Sequence, residues 1–152
     1  MDEPELRHRS SKRPEPLSGT VDRSSRERAV VAARTAAAKG GADTVVLEVA
    51  EVLGIVDWFV VTSGTNPRQV RAIAEEVELA LKRRGSGPPR VEGRGHDRWV
   101  LLDAGDVVVH VFLEEVRAYY ELERLWGDVP RLDWDSAASA DVGSGSGRAA
   151  AD

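Results

Sequence analysis

The segment RWVLLDAGDVVVHVFLEEVRAYYELERLW, residues 98–126, contains two apolar runs separated by a short polar stretch. The runs cover residues 99–102 and 107–113, and the sequence DAGD at residues 103–106 lies between them. Glycine tolerates a positive φ and aspartate bonds readily to nearby backbone, so this stretch favours a tight turn. The segment therefore predicts a β-hairpin, followed by a helix over residues 114–126.

The two faces of this hairpin differ in character. A two-residue loop of Ala104 and Gly105 would place Asp103 opposite Asp106 and set the register of the strands. Side chains alternate between faces along a strand, so one face is wholly aliphatic and is expected to be core. The other face is apolar but also carries polar ring nitrogens. Such a face can be covered by a helix of the same domain or by a partner protein. The aliphatic face holds Val100, Leu102, Val107, Val109 and Val111, and the other holds Trp99, Leu101, Val108, His110 and Phe112.

The composition excludes several classes of protein. A chain of 152 residues has room for one domain with a substantial core. Cysteine is absent, which excludes disulfide scaffolds, thiolate metal sites and cysteine nucleophiles. The three histidines are not at paired spacing, so no zinc site is expected. No cofactor is expected either. No apolar run approaches about 18 residues and the first residues do not resemble a secretory signal, so we expect a cytoplasmic protein with no membrane contact.

The charge of the chain indicates the kind of partner. Its net charge is −5, whereas proteins that bind nucleic acid through phosphates need a basic patch. The basic cluster Lys82-Arg83-Arg84 also suits the C-terminal end of a helix, where cations complement the dipole. A basic protein surface is therefore a better expected partner than nucleic acid alone.

Further helices and strands follow from capping signals and residue type. A capping box beginning at Ser24 predicts an alanine-rich helix that ends near Lys39. Runs of β-branched residues at 44–49 and 58–62 predict two strands, and residues 90–92 form a short extended stretch.

A second helix is indicated by both its start and its periodicity. Asn66 is a strong N-cap, Pro67 suits the first helical position, and Gln69 can complete a capping box. Gly85 is the expected end of the helix. Its apolar residues share one face, which carries Val70, Ile73, Ala74, Val77 and Leu81.

The order of these elements predicts an α/β sandwich with a mixed sheet. The predicted domain covers residues 24–134. Residues 1–23 are rich in proline, serine and charge, and residues 135–152 are rich in glycine and serine, so both are predicted to be disordered tails.

Two patterns could carry chemistry, and each has a plainer explanation. The strand that ends at Ser63-Gly64 leads into a helix start whose free N–H groups could bind a phosphate, but no clustered carboxylates for metal ions follow it. Asp103 and Asp106 would lie together at the hairpin end, where turn geometry also explains them. We therefore predict a protein that is not an enzyme, with a nucleotide-binding or nucleotidyltransferase-like enzyme as the alternative.

The strongest indication of a binding site is a group of aromatic and charged residues. Tryptophan, tyrosine and arginine dominate binding hot spots when they lie together on a surface. Core packing competes for such residues, and we expect Tyr119 and Leu122 to be core. The predicted contact group is Trp99, His110, Arg117, Tyr120, Glu123 and Trp126.

Five separated motifs occur in a specific order. They are D-x-F-V-V-x-S-G at residues 57–64, R-Q-V-x-A-I-A at 68–74, E-G at 92–93, W-V-L-L-D-x-x-D-V-V-V-H-V-F at 99–112 and R-x-x-Y-x-L-E-x-L-W-x-D at 117–128. Together they resemble the ribosomal silencing factor family, also called Iojap-related. The resemblance covers about residues 25–130, and Trp58 stands where members usually have a smaller residue.

The resemblance implies a cytosolic translational repressor. Such a protein binds the large ribosomal subunit at a basic ribosomal protein on the intersubunit face and blocks joining of the small subunit when nutrients are short, with minor or no direct rRNA contact. The resemblance also implies a homodimer in the free state and a nucleotidyltransferase-like fold without catalytic carboxylates, for which we expect a mixed five-stranded sheet with helices packed on it. It adds Leu101, Asp103 and Asp106 to the predicted contact residues.

Overall fold

A computed structural model describes residues 23–120, 124 and 127–135. Residues 1–22 and 136–152, which make up nearly all of the two predicted tails, lie outside the described residues. No helix in the part of the chain that is described is long and apolar enough to cross a membrane. The elements are α1 (Arg23–Ala38), β1 (Ala42–Glu48), α2 (Ala50–Leu53), β2 (Trp58–Gly64), α3 (Pro67–Leu81), a π-helical turn (Lys82–Ser86), β3 (Arg90–Glu92), β4 (Trp99–Asp103), β5 (Val107–Leu113), α4 (Glu114–Tyr120) and β6 (Arg131–Leu132).

The described strands form one mixed sheet of six strands in the order β3-β4-β5-β2-β1-β6. The central strands β2 and β5 are parallel, and every other neighbouring pair is antiparallel. The predicted mixed α/β sheet with packed helices is confirmed. The expected number of five strands is wrong, because β6 adds a sixth strand beside β1. A strand of two residues is too short to show any periodicity in the sequence.

The β4–β5 hairpin has a register different from the predicted one. Trp99 pairs with Phe112, two residues beyond its expected partner. The loop consists of Gly105 and Asp106, and the N–H of Ala104 donates across it to the carbonyl of the facing strand at 2.9 Å. Gly105 has φ +90°, which a type II′ turn requires at the first loop position. Because the shift is an even number of residues, every side chain keeps its predicted face.

The layer of α1 and α3 covers the aliphatic face of the sheet. All five hairpin residues predicted to be core are buried, and so is the whole predicted stripe of α3. The N-cap of α3 is confirmed, since Asn66 Oδ1 accepts from the backbone N–H of Gln69 at 2.9 Å. In a capping box, the side chain of Gln69 would accept from the backbone N–H of Asn66. It accepts instead from the N–H of Thr65, the preceding residue, at 2.7 Å.

The start of α1 corrects the capping-box prediction. The helix already includes Arg23, so Ser24 lies in the first turn and is not the N-cap. Ser25 is buried, and its hydroxyl donates to Asp57 Oδ2 at 3.1 Å and accepts from Trp58 Nε1 at 3.2 Å. A buried indole needs such a partner. The core therefore accommodates the large side chain of Trp58.

Helix α4 follows β5 directly. The residues of α4 that face the core are not the predicted ones. Val116 and Arg117 are both buried, whereas Tyr119 is 80% exposed. The prediction that Tyr119 is core is therefore wrong, because Arg117 occupies an inward position that sequence periodicity assigns to an apolar residue. Leu122, the other residue expected in the core, lies outside the described residues.

The loop between β3 and β4 is held in a defined shape. Asp97 is buried and accepts two hydrogen bonds from Arg71, at 3.0 and 2.7 Å. Gly93 and Gly95 both have left-handed backbone, with φ of +89° and +102°. A Cβ at position 93 would collide with the backbone carbonyl of Trp99, whereas one at position 95 would meet open space.

We expect Gly93→Ala to lower the free energy of unfolding by about 3 kcal/mol, because strained backbone and a collision add together. Gly95→Ala is the matched control, and its expected loss is about 1 kcal/mol, since only the left-handed backbone is penalised. Urea unfolding of both variants measures the difference. Equal losses would show that the contact with Trp99 does not constrain position 93.

Candidate functional site

Four rings from three neighbouring strands form a cluster on the sheet face that α1 and α3 do not cover. Trp58 bonds to Ser25 of α1, so the side chains of β2 alternate from there and Phe59 points to the other face. The ring of Phe59 meets His110 edge-on, with centroids 4.8 Å apart. The rings of Trp99 and Phe112 lie 4.7 Å apart at 33°. Both geometries are favourable for aromatic pairs.

This cluster grades from an exposed rim to a buried interior. Trp99 is 37% exposed and Leu101 is half-buried, whereas His110 is 6% exposed and Phe112 is fully buried. We refer to Phe59, Trp99, Leu101, His110 and Phe112 as the aromatic face. The structure thus brings together three of the predicted contact residues, Trp99, Leu101 and His110. The sequence analysis missed Phe59 as a member, because its position beside His110 depends on the pairing of β2 with β5.

His110 is held in one tautomer by Trp99. The indole Nε1–H donates to His110 Nδ1 at 3.2 Å, and an indole nitrogen can only donate. The neutral imidazole therefore carries its proton on Nε2. That nitrogen is buried and has no hydrogen-bond partner among the described residues. Burial lowers the pKa of His110 to about 4, so the ring is neutral at physiological pH.

The two hairpin aspartates do not act as a pair. Asp103 Oδ1 accepts from the N–H of Gly105 at 2.9 Å, which is a turn interaction. Asp103 lies on the same side of β4 as Trp99, so it belongs to the rim of the aromatic face. Asp106 pairs instead with Arg28 of α1 at 3.4 Å, on the side of the helix layer. Of the two predicted contact residues, the structure brings only Asp103 to the aromatic face.

Arg117 braces the start of β1. Its guanidinium donates to the carbonyl of Ala42 at 3.2 Å, the carbonyl of Asp43 at 2.8 Å and Ser63 Oγ at 3.1 Å. Asp43 has a φ of +51°, and the register of β1 is irregular at this point. A bulge disrupts the ladder locally, and side chains supply donors here: Arg117 to both carbonyls, and Ser63 Oγ to that of Ala42 at 3.1 Å. With only 7% exposure, Arg117 is an internal brace and is not placed to be a contact residue.

Three predicted contact residues lie wholly or partly outside the described part of the chain. The backbone of Tyr120 ends α4, but its side chain is not among the described residues. Glu123 and Trp126 lie outside the described residues.

In the turn after β2, side chains of the protein already accept from two of the backbone donors that a phosphate would use. The N–H of Gln69 is bonded to Asn66, and the N–H of Thr65 is bonded to Gln69. Gly64 packs so closely that an added Cβ would lie 3.0 Å from the backbone nitrogen of Val70. Across the described part of the chain, no group of three or more His, Asp or Glu side chains is arranged to hold a metal ion. These contacts favour the plainer reading, an ordinary capped connection.

Comparison with known proteins gives a consistent result. The family model described as "Ribosomal silencing factor during starvation" matches residues 22–151. A ribosomal silencing factor of Halalkalibacterium halodurans is 46% identical over 85 residues, which is 56% of this chain and 73% of that protein. The mouse protein named "Mitochondrial assembly of ribosomal large subunit protein 1" is 36% identical over 87 residues, covering 55% of this chain and 38% of its own length.

The fold also matches a solved structure. A crystal structure of a protein from Chromobacterium violaceum superimposes with a TM-score of 0.65 at 38% sequence identity. The match covers 67% of this chain and 85% of that one.

We expect Arg117→Met to lower the free energy of unfolding by about 3 kcal/mol, because it removes the three hydrogen bonds that the buried guanidinium makes to Ala42, Asp43 and Ser63. Arg98→Met is the matched control. Arg98 is exposed and its ion pair with Glu115 is 4.0 Å long, so its loss should stay below about 0.5 kcal/mol. Chemical unfolding distinguishes the two. Similar small losses in both variants would contradict the bracing role.

The stability of the protein should depend on the titration of His110. As the pH falls below 6.5, the unfolded chain takes up a proton at residue 110, whereas the folded protein does so only near pH 4. The free energy of unfolding should therefore fall across this window, by up to about 3 kcal/mol more in the parent than in His110→Phe. Urea unfolding at a series of pH values measures it. Parallel pH profiles for the two proteins would show that His110 is not buried as described.

Proposed function

Because the chain belongs to the ribosomal silencing factor family, we propose that it lowers translation under nutrient limitation by binding the large ribosomal subunit and blocking subunit joining. The observation that carries this proposal is the aromatic face, an apolar surface with an exposed tryptophan at its rim and buried rings behind it. A tryptophan at the rim and apolar side chains behind it are typical of a hot spot.

The proposed mechanism requires no chemical step. A domain docked on the intersubunit face of one subunit occupies volume that the other subunit needs, so affinity and position are sufficient. An interface of about 800 Å² per partner is ordinary for a stable complex. We therefore propose a cytoplasmic repressor that is not an enzyme, which agrees with the turn after β2, where the protein's own side chains use two of the backbone donors.

The proposed partner on the subunit is a basic ribosomal protein. The name of the mouse relative connects that protein with the large ribosomal subunit. On this chain, Asp103 lies at the hairpin end of the aromatic face, and the exposed residues Glu114 and Glu115 begin α4 at the other end, next to the Trp99–Phe112 pair. Together with a net charge of −5, these carboxylates would steer the domain toward a basic protein and make association slower at high salt.

Two further parts of the proposal concern assembly. Direct contact with rRNA is proposed to be minor, since the acidic domain gains little from counterion release. The free protein is proposed to be a homodimer, as the family resemblance implies.

We expect Trp99→Ala to weaken binding to purified large subunits by about 2 kcal/mol, or roughly thirtyfold in Kd, because truncation removes the rim of the hot spot. Leu79→Ala is the matched control, since Leu79 is an equally exposed apolar residue on α3 in the opposite layer. Co-sedimentation measures the affinity of each variant, and circular dichroism verifies that each is folded. If a folded Trp99→Ala variant binds as tightly as Leu79→Ala, the aromatic face is not the docking surface.

A further inference from the structure

The aromatic face contains a hydrogen-bond donor for which no described residue is the acceptor. His110 lies in the middle of the face on β5, and its Nδ1 is occupied by the Trp99 indole. The proton of the neutral ring is consequently on Nε2, which is buried and has no partner among the described residues. Two of the rings beside the imidazole cannot accept a strong hydrogen bond, namely Phe59 at 4.8 Å and Phe112 at 6.1 Å between centroids.

A donor in this state is unusual in a folded protein. Most buried polar groups have a hydrogen-bond partner, because leaving one unpaired costs the full penalty of removing it from water. The free protein therefore carries a penalty at the centre of its own candidate binding site. An arriving acceptor oxygen would remove that penalty, and the gain would appear as binding energy.

We propose that His110 donates a hydrogen bond from Nε2 to a carbonyl or carboxylate oxygen of the protein that docks on the aromatic face. This inference rests on the proposed function and specifies the chemistry of the partner at that site. Trp99 acts in it twice. As a rim residue it touches the partner, and as a positioning residue its Nε1–H fixes the tautomer of His110, so that the face offers a donor and never an acceptor at this point.

Because His110 Nε2 can only donate, the aromatic face should select partners that place an acceptor there. A partner that places an oxygen over the ring gains a hydrogen bond, whereas one that places an amide or ammonium group there leaves two donors facing each other. Because Nε2 is covered in the free protein, docking must include a small displacement of a neighbouring side chain. Rotamer changes of this size are common at interfaces whose backbone stays fixed.

A purely structural role for His110 predicts a different response to substitution. If the residue only fills the core, a substitution there changes stability, and binding changes only as far as the fold does. If it is the donor of the interface, replacing it with an apolar ring removes the unpaired Nε2–H from the free protein, and it also removes the acceptor of the Trp99 indole N–H, which belongs to the exposed rim. The free energy of unfolding at neutral pH should then stay the same or rise, while the affinity for the large subunit falls. Opposite changes in these two quantities distinguish the interface role from the purely structural one.

The test uses three substitutions of His110 in the full chain, with purified large ribosomal subunits as the probe. His110→Phe keeps a ring without a donor, and we expect roughly tenfold or greater weakening of Kd with no loss of melting temperature. His110→Gln places an amide N–H near the position of Nε2 and should recover most of that affinity. His110→Asn places its amide near Nδ1 instead and should not. His96→Phe, at an exposed histidine in the β3–β4 loop, is the matched control.

The tautomer is tested separately on the free protein. Nitrogen-15 NMR of the histidine rings should show His110 protonated on Nε2, and Trp99→Phe should abolish this preference. Equal affinity of His110→Phe and the parent would overturn the proposal, as would a His110→Gln variant no better than His110→Phe or a proton found on Nδ1. Failure of the parent protein itself to bind large subunits would instead refute the proposed function, so the two failures are distinguishable.

Discussion

The parallel pairing of β2 with β5 is the constraint on which the rest of the structure depends. It joins the two strands from Trp58↔Val107 to Gly64↔Leu113 and places β2 beside the hairpin strand that is buried along its whole length. One side of this pair is the aliphatic core under α1 and α3. The other side becomes the aromatic face only because the pairing brings Phe59 next to His110. Neither strand could build that face alone, since Phe59 comes from β2 and the other three rings come from the β4–β5 hairpin.

Arg117 shows that a residue of one of the family motifs can have a structural role. Arg117 begins the last motif and is of a type common in binding hot spots, yet its guanidinium is turned inward. It spans from α4 to the end of β2 and to the irregular start of β1, where it donates to two backbone carbonyls. A buried cation is tolerated there because each of its hydrogen bonds has a fixed acceptor. The brace orients α4 at the border of the aromatic face, so it supports the candidate site from within.

How far the sequence predicts this structure depends on how local each feature is. The stripe of α3 and the two faces of the hairpin follow from periodicities of 3.6 and 2 residues, and both are confirmed. The register was wrong because the loop requires glycine at its first position, a choice between turn types that the residues 103–106 leave open. The strand β6, the inward turn of Arg117 and the membership of Phe59 in the site all depend on contacts between distant segments. Periodicity within one element carries no information about such contacts.

The central claim is that the aromatic face is the surface that docks on the large ribosomal subunit. A cryo-electron microscopy structure of purified large subunits with the protein bound tests it most directly. The account predicts that Trp99 and Leu101 lie against a ribosomal protein, with an oxygen of that protein within hydrogen-bond distance of His110 Nε2 and with α1 and α3 facing away from the contact. A complex in which the layer of α1 and α3 makes the contact, and the aromatic face is turned to solvent, would contradict it.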